Sequence, residues 1–246
     1  MNITVEIKGT ASVAWLKGTK HRFYEDRYRI LSREIPLVGE QDRGELFAVF
    51  DGIGSAPKGR EAAQKMADIM LEFYQNPEAY PPSQEGVAGI LKKGNEIIHG
   101  WGFMGDTDIP LGGCAGTIAW VHKDILQVFH AGDTTALHIK NRGEPLVLTR
   151  NHQMENGAIY RYFGLGPNLE IETDQVSLEE LDRVLLLTDG VTKVIHPLEA
   201  AESIKRHDDI GLAAKAIVQR ASQKGSIDDI TVLLIEIEGL QNAGNR

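Results

Sequence analysis

Acidic residues stand at the ends of apolar, strand-like segments throughout this chain. The clearest cases are Asp51-Gly52 after residues 47–50, Asp189-Gly190 after residues 184–187, and Asp228-Asp229 before residues 230–234. If the last segment lies antiparallel to the other two, its beginning lies beside their ends. Carboxylates brought so close repel one another unless cations or protons neutralise them, and hard divalent ions prefer oxygen ligands. The pattern therefore predicts a metal centre.

A single Asp-Gly pair after a strand is typical of an ordinary turn. Two further acidic motifs, Glu25-Asp26 before a strand and Gly132-Asp133 after another, extend the set of acidic strand ends. Such a repeated placement indicates one shared site. An aspartyl-phosphate phosphohydrolase would need a second aspartate two residues after Asp51, where Ile53 stands. The sequence also contains no Gly-Lys-Ser/Thr phosphate loop and no pair of histidines at metal-binding spacing on a helix.

Groups of hairpin-linked strands alternate with pairs of helices along the chain. The predicted strands are residues 3–7, 11–16, 27–31, 45–50, 117–122, 125–130, 135–139, 145–148, 169–176, 184–187 and 230–236. The predicted helices run from about residue 57 to 73, from a cap at Ser83 to residue 99, and over residues 198–206 and 211–223. This alternation predicts an α+β protein with antiparallel sheets and helices packed outside them. No repeat or linker is found, so we expect one domain over residues 1–246.

Charge and cysteine content restrict the class of protein. The formal net charge of −9 over 246 residues argues against partners such as nucleic acid or anionic lipid. A single cysteine, Cys114, excludes an intramolecular disulfide and is consistent with a reducing cytoplasm. The N-terminus lacks the features of a secretory signal, and no apolar stretch is long enough to cross a bilayer. We therefore expect a cytoplasmic protein with no membrane association.

The ordered set of motifs resembles the metal-dependent type 2C protein phosphatases, the PPM family. The motifs that carry the resemblance are Glu25-Asp26, residues 47–52, residues 113–117, residues 131–133, residues 188–190 and residues 228–232. The similarity extends from about residue 11 to residue 236, so the core of the expected domain is about residues 11–237. It implies a four-layer α-β-β-α sandwich in which two antiparallel sheets are flanked by helix pairs.

The resemblance also implies a centre of two or three Mn²⁺ or Mg²⁺ ions at one end of the sandwich. By the resemblance, Asp51 bridges two ions, and the Gly52 carbonyl binds one of them. Asp189 and Asp228 bind the second ion, and Asp133 with Asp189 holds a third. Glu25 and Asp26 act largely through bound waters. A water that bridges two divalent ions has a lowered pKa and can attack phosphorus in line. No nucleophilic side chain is needed.

The chain departs from the family pattern at several positions. Many members have a histidine where Ile53 stands, and the phosphate-binding arginine usually occupies the position of His21. Arg22 is the candidate for that role, and Lys20 is the other neighbouring cation. The last motif normally reads Asp-Asn, so Asp229 adds a carboxylate that either binds metal or lies in solvent. The segment 151–161, where the family carries a mobile flap, looks short.

The predicted function is metal-dependent hydrolysis of phosphoserine and phosphothreonine in proteins. The expected partner is a phosphoprotein substrate, either a kinase or a kinase target. An alternative from another class is a non-catalytic phosphatase-like module that binds a phosphoprotein or regulates a kinase. A two-metal hydrolase of small phosphate esters or nucleic acid is a third interpretation, and the negative net charge disfavours its nucleic-acid version.

Overall fold

A computed structural model describes residues 2–240 of the chain. Residues 1 and 241–246 of the expected domain lie outside the described residues. The strands are β1 Thr4–Lys8, β2 Ala11–Leu16, β3 Arg27–Leu31, β4 Glu45–Gly52, β5 Cys114–His122, β6 Ile125–Ala131, β7 Thr135–Ile139, β8 Leu146–Val147, β9 Glu172–Ser177, β10 Arg183–Leu187 and β11 Ile230–Glu236. The helices are α1 Pro36–Gly39, α2 Gly59–Ile69, α3 Glu72–Gln75, α4 Gln84–His99, α5 Asp189–Thr192, α6 Pro197–Ile204 and α7 Ile210–Gln223.

The strands form two sheets in which every described pairing is antiparallel. One sheet has the order β1-β2-β11-β10-β7-β8, and the other has the order β3-β4-β5-β6-β9. Strand β10 pairs with β11, and Leu187 lies opposite Val232. Because these strands are antiparallel, the residues after β10 and before β11 emerge at the same end of the sheet, as the sequence predicted.

Three buried layers of apolar side chains separate four layers of secondary structure. In β4, Phe47 and Val49 face the core between the sheets, whereas Phe50 packs on the other face with Met66 of α2 and Ile90 of α4. Helices α6 and α7 cover the outer face of the first sheet in the same way. Side chains alternate between the two faces of a strand, so a strand buried on both faces is a continuous apolar run. The predicted four-layer sandwich is confirmed.

The helix boundaries differ from the predicted ones where the local signal is weak. Helix α4 begins after Ser83, whose Oγ accepts the backbone N–H of Gly86 at 3.3 Å, as expected of an N-cap. Pro57 lies in the turn before α2 instead of in its first turn, and the predicted helix 57–73 is divided into α2 and α3. The single-turn helices α1 and α5 were not predicted, because four residues show no helical periodicity. Within residues 2–240, no helix combines the length and the apolar character required to cross a membrane.

Candidate metal centre

Three aspartates from distant parts of the chain meet at one end of the sandwich. One carboxylate oxygen from each of Asp51, Asp133 and Asp189 lies within 4.8 Å of the other two. Asp51 belongs to β4, Asp133 follows β6, and Asp189 begins α5, so both sheets contribute to the group. Asp133 and Asp189 are buried. The predicted convergence of acidic strand ends therefore occurs across the two sheets, and it includes the Gly-Asp turn.

A cavity surrounds this group and contains most of the residues expected at a metal centre. Its lining residues are Lys20, His21, Glu25, Asp51, Gly52, Ile53, Asp133, Ile159, Asp189, Asp228 and Asp229. Of the metal ligands implied by the resemblance, Asp26 alone is missing from this lining. Arg22 is also outside it.

Two glycines permit the close approach of the segments that carry Asp133 and Asp189. A Cβ atom at Gly190 would lie 1.9 Å from the carbonyl oxygen of Asp229, so only glycine fits beside the start of β11. Gly132 has φ +121°, and a Cβ there would lie 2.3 Å from the Cβ of Ala115. The glycines beside these aspartates therefore serve packing as well as turn formation.

Asp26 lies behind the cavity and links strands from both sheets. Its Oδ2 accepts hydrogen bonds from the hydroxyl groups of Thr188 at 2.8 Å and Thr231 at 2.5 Å. Thr188 precedes Asp189, and Thr231 lies in β11. Burial raises the pKa of Asp26, and the two hydroxyl donors oppose that shift. Asp26 therefore orients the strand ends that carry other acidic residues.

Asp229 lines the cavity and also has a structural role that the sequence did not predict. Its Oδ1 accepts the backbone N–H of Gly18 at 2.7 Å, and its Oδ2 accepts that of Glu25 at 2.6 Å. The residue is buried. Both oxygens hold backbone amides of the segment before β3, so Asp229 positions Glu25 and does not point into solvent.

The carboxylates at the centre are unfavourable neighbours in their ionised forms. Burial, followed by the charge of Asp189, raises the pKa of Asp51 well above its usual range. The same two causes raise the pKa of Asp133 to about 7. Burial would also raise the pKa of Asp228, but hydrogen bonds from Lys20 and Lys193 outweigh it and hold that pKa below its ordinary value. The neighbouring lysines therefore favour the ionised form of Asp228, whereas the surroundings of Asp51 and Asp133 disfavour theirs.

The carboxylate oxygens that have no hydrogen-bond partner fit a divalent cation as ligands. Among residues 2–240, Oδ1 of Asp133 and Oδ1 of Asp189 are buried and accept no hydrogen bond. Such orphaned acceptors are costly unless a cation or water completes them. A set of carboxylate oxygens without histidine or cysteine is the environment that Mg²⁺ and Mn²⁺ prefer. The residues present therefore match the predicted metals.

Two lysines and a histidine lie against the acidic residues. Lys20 Nζ is 2.8 Å from Asp228 Oδ2, and Lys193 Nζ contacts Asp189 and lies 2.9 Å from the same Asp228 oxygen. The His21 ring lies between Glu25 and Asp228, with nitrogen-to-oxygen distances of 3.5 and 3.8 Å. The sequence prediction omitted Lys193, although its i+4 spacing from Asp189 is a recognisable signal for an ion pair on a helical turn.

Arg22 packs on an aromatic side chain and does not line the cavity. Its guanidinium carbon is 5.1 Å from the centre of the Phe23 ring, and that of Arg60 is also 5.1 Å from this ring. Lys20 and His21 of this segment line the cavity.

The short segment predicted in place of a flap also reaches the centre. Gln153 and Ile159 form an antiparallel bridge, and the Gln153 side-chain amide donates a hydrogen bond to Oδ2 of Asp133. Ile159 lines the cavity. His152 Nδ1 accepts the backbone N–H of Gly132 at 3.0 Å, which ties this hairpin to the turn before Asp133. Nothing in the acidic pattern pointed to these contacts.

Comparison with known proteins identifies similar chains over almost the whole length. A family model described as protein phosphatase 2C matches residues 37–226. The serine/threonine phosphatase stp of Listeria welshimeri is 22% identical over 238 residues, which cover 87% of this chain and 94% of the relative.

Solved structures show the same architecture. A bacterial serine phosphatase superposes with a TM-score of 0.78 at 18% identity and covers 94% of this chain and 98% of its own. The catalytic domain of the serine/threonine protein phosphatase PstP, in complex with two manganese ions, has a TM-score of 0.74 at 18% identity and covers 97% of this chain and 100% of its own.

Proposed function

The chain belongs to the protein phosphatase 2C family, and on that premise we propose that it hydrolyses phosphoserine and phosphothreonine in proteins with the help of Mn²⁺ or Mg²⁺. The single observation that carries this proposal is the meeting of Asp51, Asp133 and Asp189 within 4.8 Å. The serine/threonine phosphatases among the relatives support phosphoproteins as the substrate class. The two manganese ions bound by the PstP domain support the choice of metal.

The acidic side chains divide into ligands and positioning residues. Asp51, Gly52, Asp189 and Asp228 would hold two ions, and Asp133 with Asp189 offers oxygens for a third. Glu25 would act through bound water, whereas Asp26 holds the strand ends through its two threonine partners. Divalent ions in such a site lower the pKa of a bound water and polarise the phosphoryl oxygens.

Substrate phosphate carries negative charge into an acidic cavity, so a lysine that lines this cavity can bind it. Lys20 and His21 line the cavity immediately before Glu25. We assign the direct contact with the phosphoryl group to Lys20, because it lines the cavity and its side chain is 43% exposed. Arg22, stacked on Phe23 outside the cavity lining, would bind phosphate only by changing its side-chain conformation.

Partners and organisation follow from the same assignment. A protein kinase that acts on the same substrates is the natural counterpart of this phosphatase, either as a regulator of those substrates or as a substrate itself. We take the described residues as one domain, because a shared core joins the two sheets. The cytoplasmic localisation stays a prediction that depends on the single cysteine.

The decisive experiment compares the chain with its Asp51→Asn and Asp189→Asn variants. Hydrolysis of para-nitrophenyl phosphate and of a phosphothreonine peptide is measured with Mn²⁺, with Mg²⁺ and after chelation. We expect turnover only with metal, and a loss of at least about 100-fold in both variants, because each removes a charged ligand. Asp106→Asn, at an exposed aspartate, is the matched control and should keep full activity.

The alternatives give different results in the same experiment. Mn²⁺ binding without turnover on any phosphopeptide would favour the non-catalytic module that binds a phosphoprotein or regulates a kinase. Faster hydrolysis of nucleotides than of phosphopeptides would favour a hydrolase of small phosphate esters. Turnover retained by Asp51→Asn would reject the assigned centre.

A further inference from the structure

One side chain joins two of the assigned ligands without being a ligand itself. The Lys193 ammonium contacts Oδ2 of Asp189 and lies 2.9 Å from Oδ2 of Asp228. The backbone N–H of Lys193 donates to the carbonyl oxygen of Asp189 at 2.9 Å, which holds the lysine one helical turn after the aspartate. The position of the ammonium is therefore set by the same short helix, α5, that presents Asp189 to the centre.

Positive charge is distributed unevenly over the acidic cluster. Asp228 Oδ2 receives both Lys193 and Lys20, the latter at 2.8 Å. On the opposite side, Oδ1 of Asp133 and Oδ1 of Asp189 are buried and have no hydrogen-bond partner among residues 2–240. Asp228 is also absent from the group of oxygens that lie within 4.8 Å of one another. The lysines thus neutralise one half of the centre and leave the other half open.

The Lys193 contact differs from the ordinary ion pairs on the surface of this protein. A typical exposed pair such as Lys205–Glu202 joins one cation to one half-exposed carboxylate. Lys193 instead meets two carboxylates whose side chains are only 11% and 12% exposed, while its own side chain is 47% exposed. A half-exposed lysine can swing into solvent without any change of fold, so its ammonium can leave when another cation arrives.

We propose that the Lys193 ammonium is a resident cation that competes with a divalent ion for Asp189 and Asp228, and so weakens metal binding at that half of the centre. The inference rests on the proposed function, which supplies the metal. A monovalent ammonium and a divalent ion repel each other and cannot share the same two oxygens. Occupation of the Asp228 side therefore requires displacement of Lys193, whereas the open oxygens of Asp133 and Asp189 are available at once.

Calorimetric titration of the chelator-treated full chain with Mn²⁺ tests this competition. Lys193→Met keeps the length of the side chain and removes the charge. We expect its weakest Mn²⁺ site to tighten by about tenfold or more, or one additional ion to bind. Lys20→Met should produce a smaller change because Lys20 contacts Asp228 alone, and Lys92→Met, at an exposed lysine, should produce none.

Thermal unfolding provides a second readout that is independent of turnover. Without metal, Lys193→Met should melt below the unmodified chain, since two carboxylates lose their cation, and Mn²⁺ should raise its Tm by more than it raises that of the unmodified chain. If Lys193→Met does not fold without metal, Lys193→Gln gives the same comparison with a polar, neutral side chain. An unchanged number of bound ions, together with Mn²⁺ affinities within twofold of those of the unmodified chain, would overturn the proposal.

The result is separable from the proposed function. A chain that hydrolyses no phosphopeptide, yet binds Mn²⁺ more tightly after Lys193→Met, would refute the phosphatase assignment and leave the competition intact. A metal-dependent phosphatase whose Mn²⁺ affinity is unchanged by Lys193→Met would support the phosphatase assignment and refute the competition.

Discussion

The carboxylate of Asp229 accepts the backbone N–H of Glu25 at 2.6 Å, across 204 positions of the chain. Its second oxygen accepts the N–H of Gly18 at 2.7 Å. The start of the last strand, β11, therefore carries the segment that brings Lys20, His21 and Glu25 to the cavity. A charged acceptor with two amide donors is a strong interaction in a buried place, so Asp229 acts on the centre by positioning.

Replacement of Asp229 should separate its positioning role from metal binding. Asp229→Leu removes both acceptors and leaves two amides without partners, and we expect the free energy of unfolding to fall by about 3 kcal/mol. Asp229→Asn keeps one acceptor oxygen and should cost about half as much. Urea unfolding in the presence of chelator measures both values. Equal stability of the two variants and the unmodified chain would contradict this role.

His130 should make stability depend on pH between neutral and mildly acidic conditions. Its Nε2 donates to the Arg150 carbonyl at 2.9 Å, so Nδ1 accepts from the Thr117 hydroxyl at 2.9 Å, and the neutral ring is fully hydrogen-bonded. Burial, followed by the stacked His152, lowers the pKa of His130 to about 4. An unfolded histidine has a pKa of about 6.5. The unfolded chain therefore takes up a proton at a higher pH than the folded one does.

Acid therefore destabilises the folded chain through His130. The contribution of the neutral His130 ring to the free energy of unfolding is complete above pH 6.5 and is lost as the pH falls towards 4. About 2 kcal/mol is lost between pH 7.5 and pH 5. His130→Gln keeps a side-chain donor and removes the titration, so its unfolding free energy should fall by about 2 kcal/mol less over the same interval. The partly exposed His207→Gln is the control. Parallel pH profiles of the unmodified chain and His130→Gln would be incompatible with a neutral buried ring.

Lys20 and Arg22 should contribute differently to substrate binding. Lys20 lines the cavity, whereas Arg22 is not among its lining residues and its guanidinium lies on the Phe23 ring. At saturating Mn²⁺, Lys20→Met should raise KM for a phosphopeptide by about tenfold, the size expected for one charged hydrogen bond. Arg22→Met should raise KM by less than about threefold, as expected for a rim charge. A larger effect of Arg22→Met than of Lys20→Met would return the phosphate-binding role to the arginine.

The acidic motifs could be recognised from sequence because local pattern determines them. An apolar run followed by Asp-Gly predicts a strand end, and the order of such ends sufficed to identify the family before any contact was known. The family match and the two antiparallel sheets confirm that prediction. The boundaries of β2, β3 and β11 also agree with the predicted strands, since alternation and β-branched residues are strong over those segments.

Contacts between distant segments could not be predicted from local sequence patterns. Asp228 and Asp229 are identical neighbours in sequence and both line the cavity, yet one accepts two lysines while the other holds the amides of Gly18 and Glu25. These partners are supplied by segments at least 35 residues away, so only the packing of those segments decides them. The same holds for Lys193, whose ammonium lies between two ligands because α5 and the start of β11 meet there. Residue type and order thus specified the chemistry, and tertiary packing specified which carboxylates remain free to perform it.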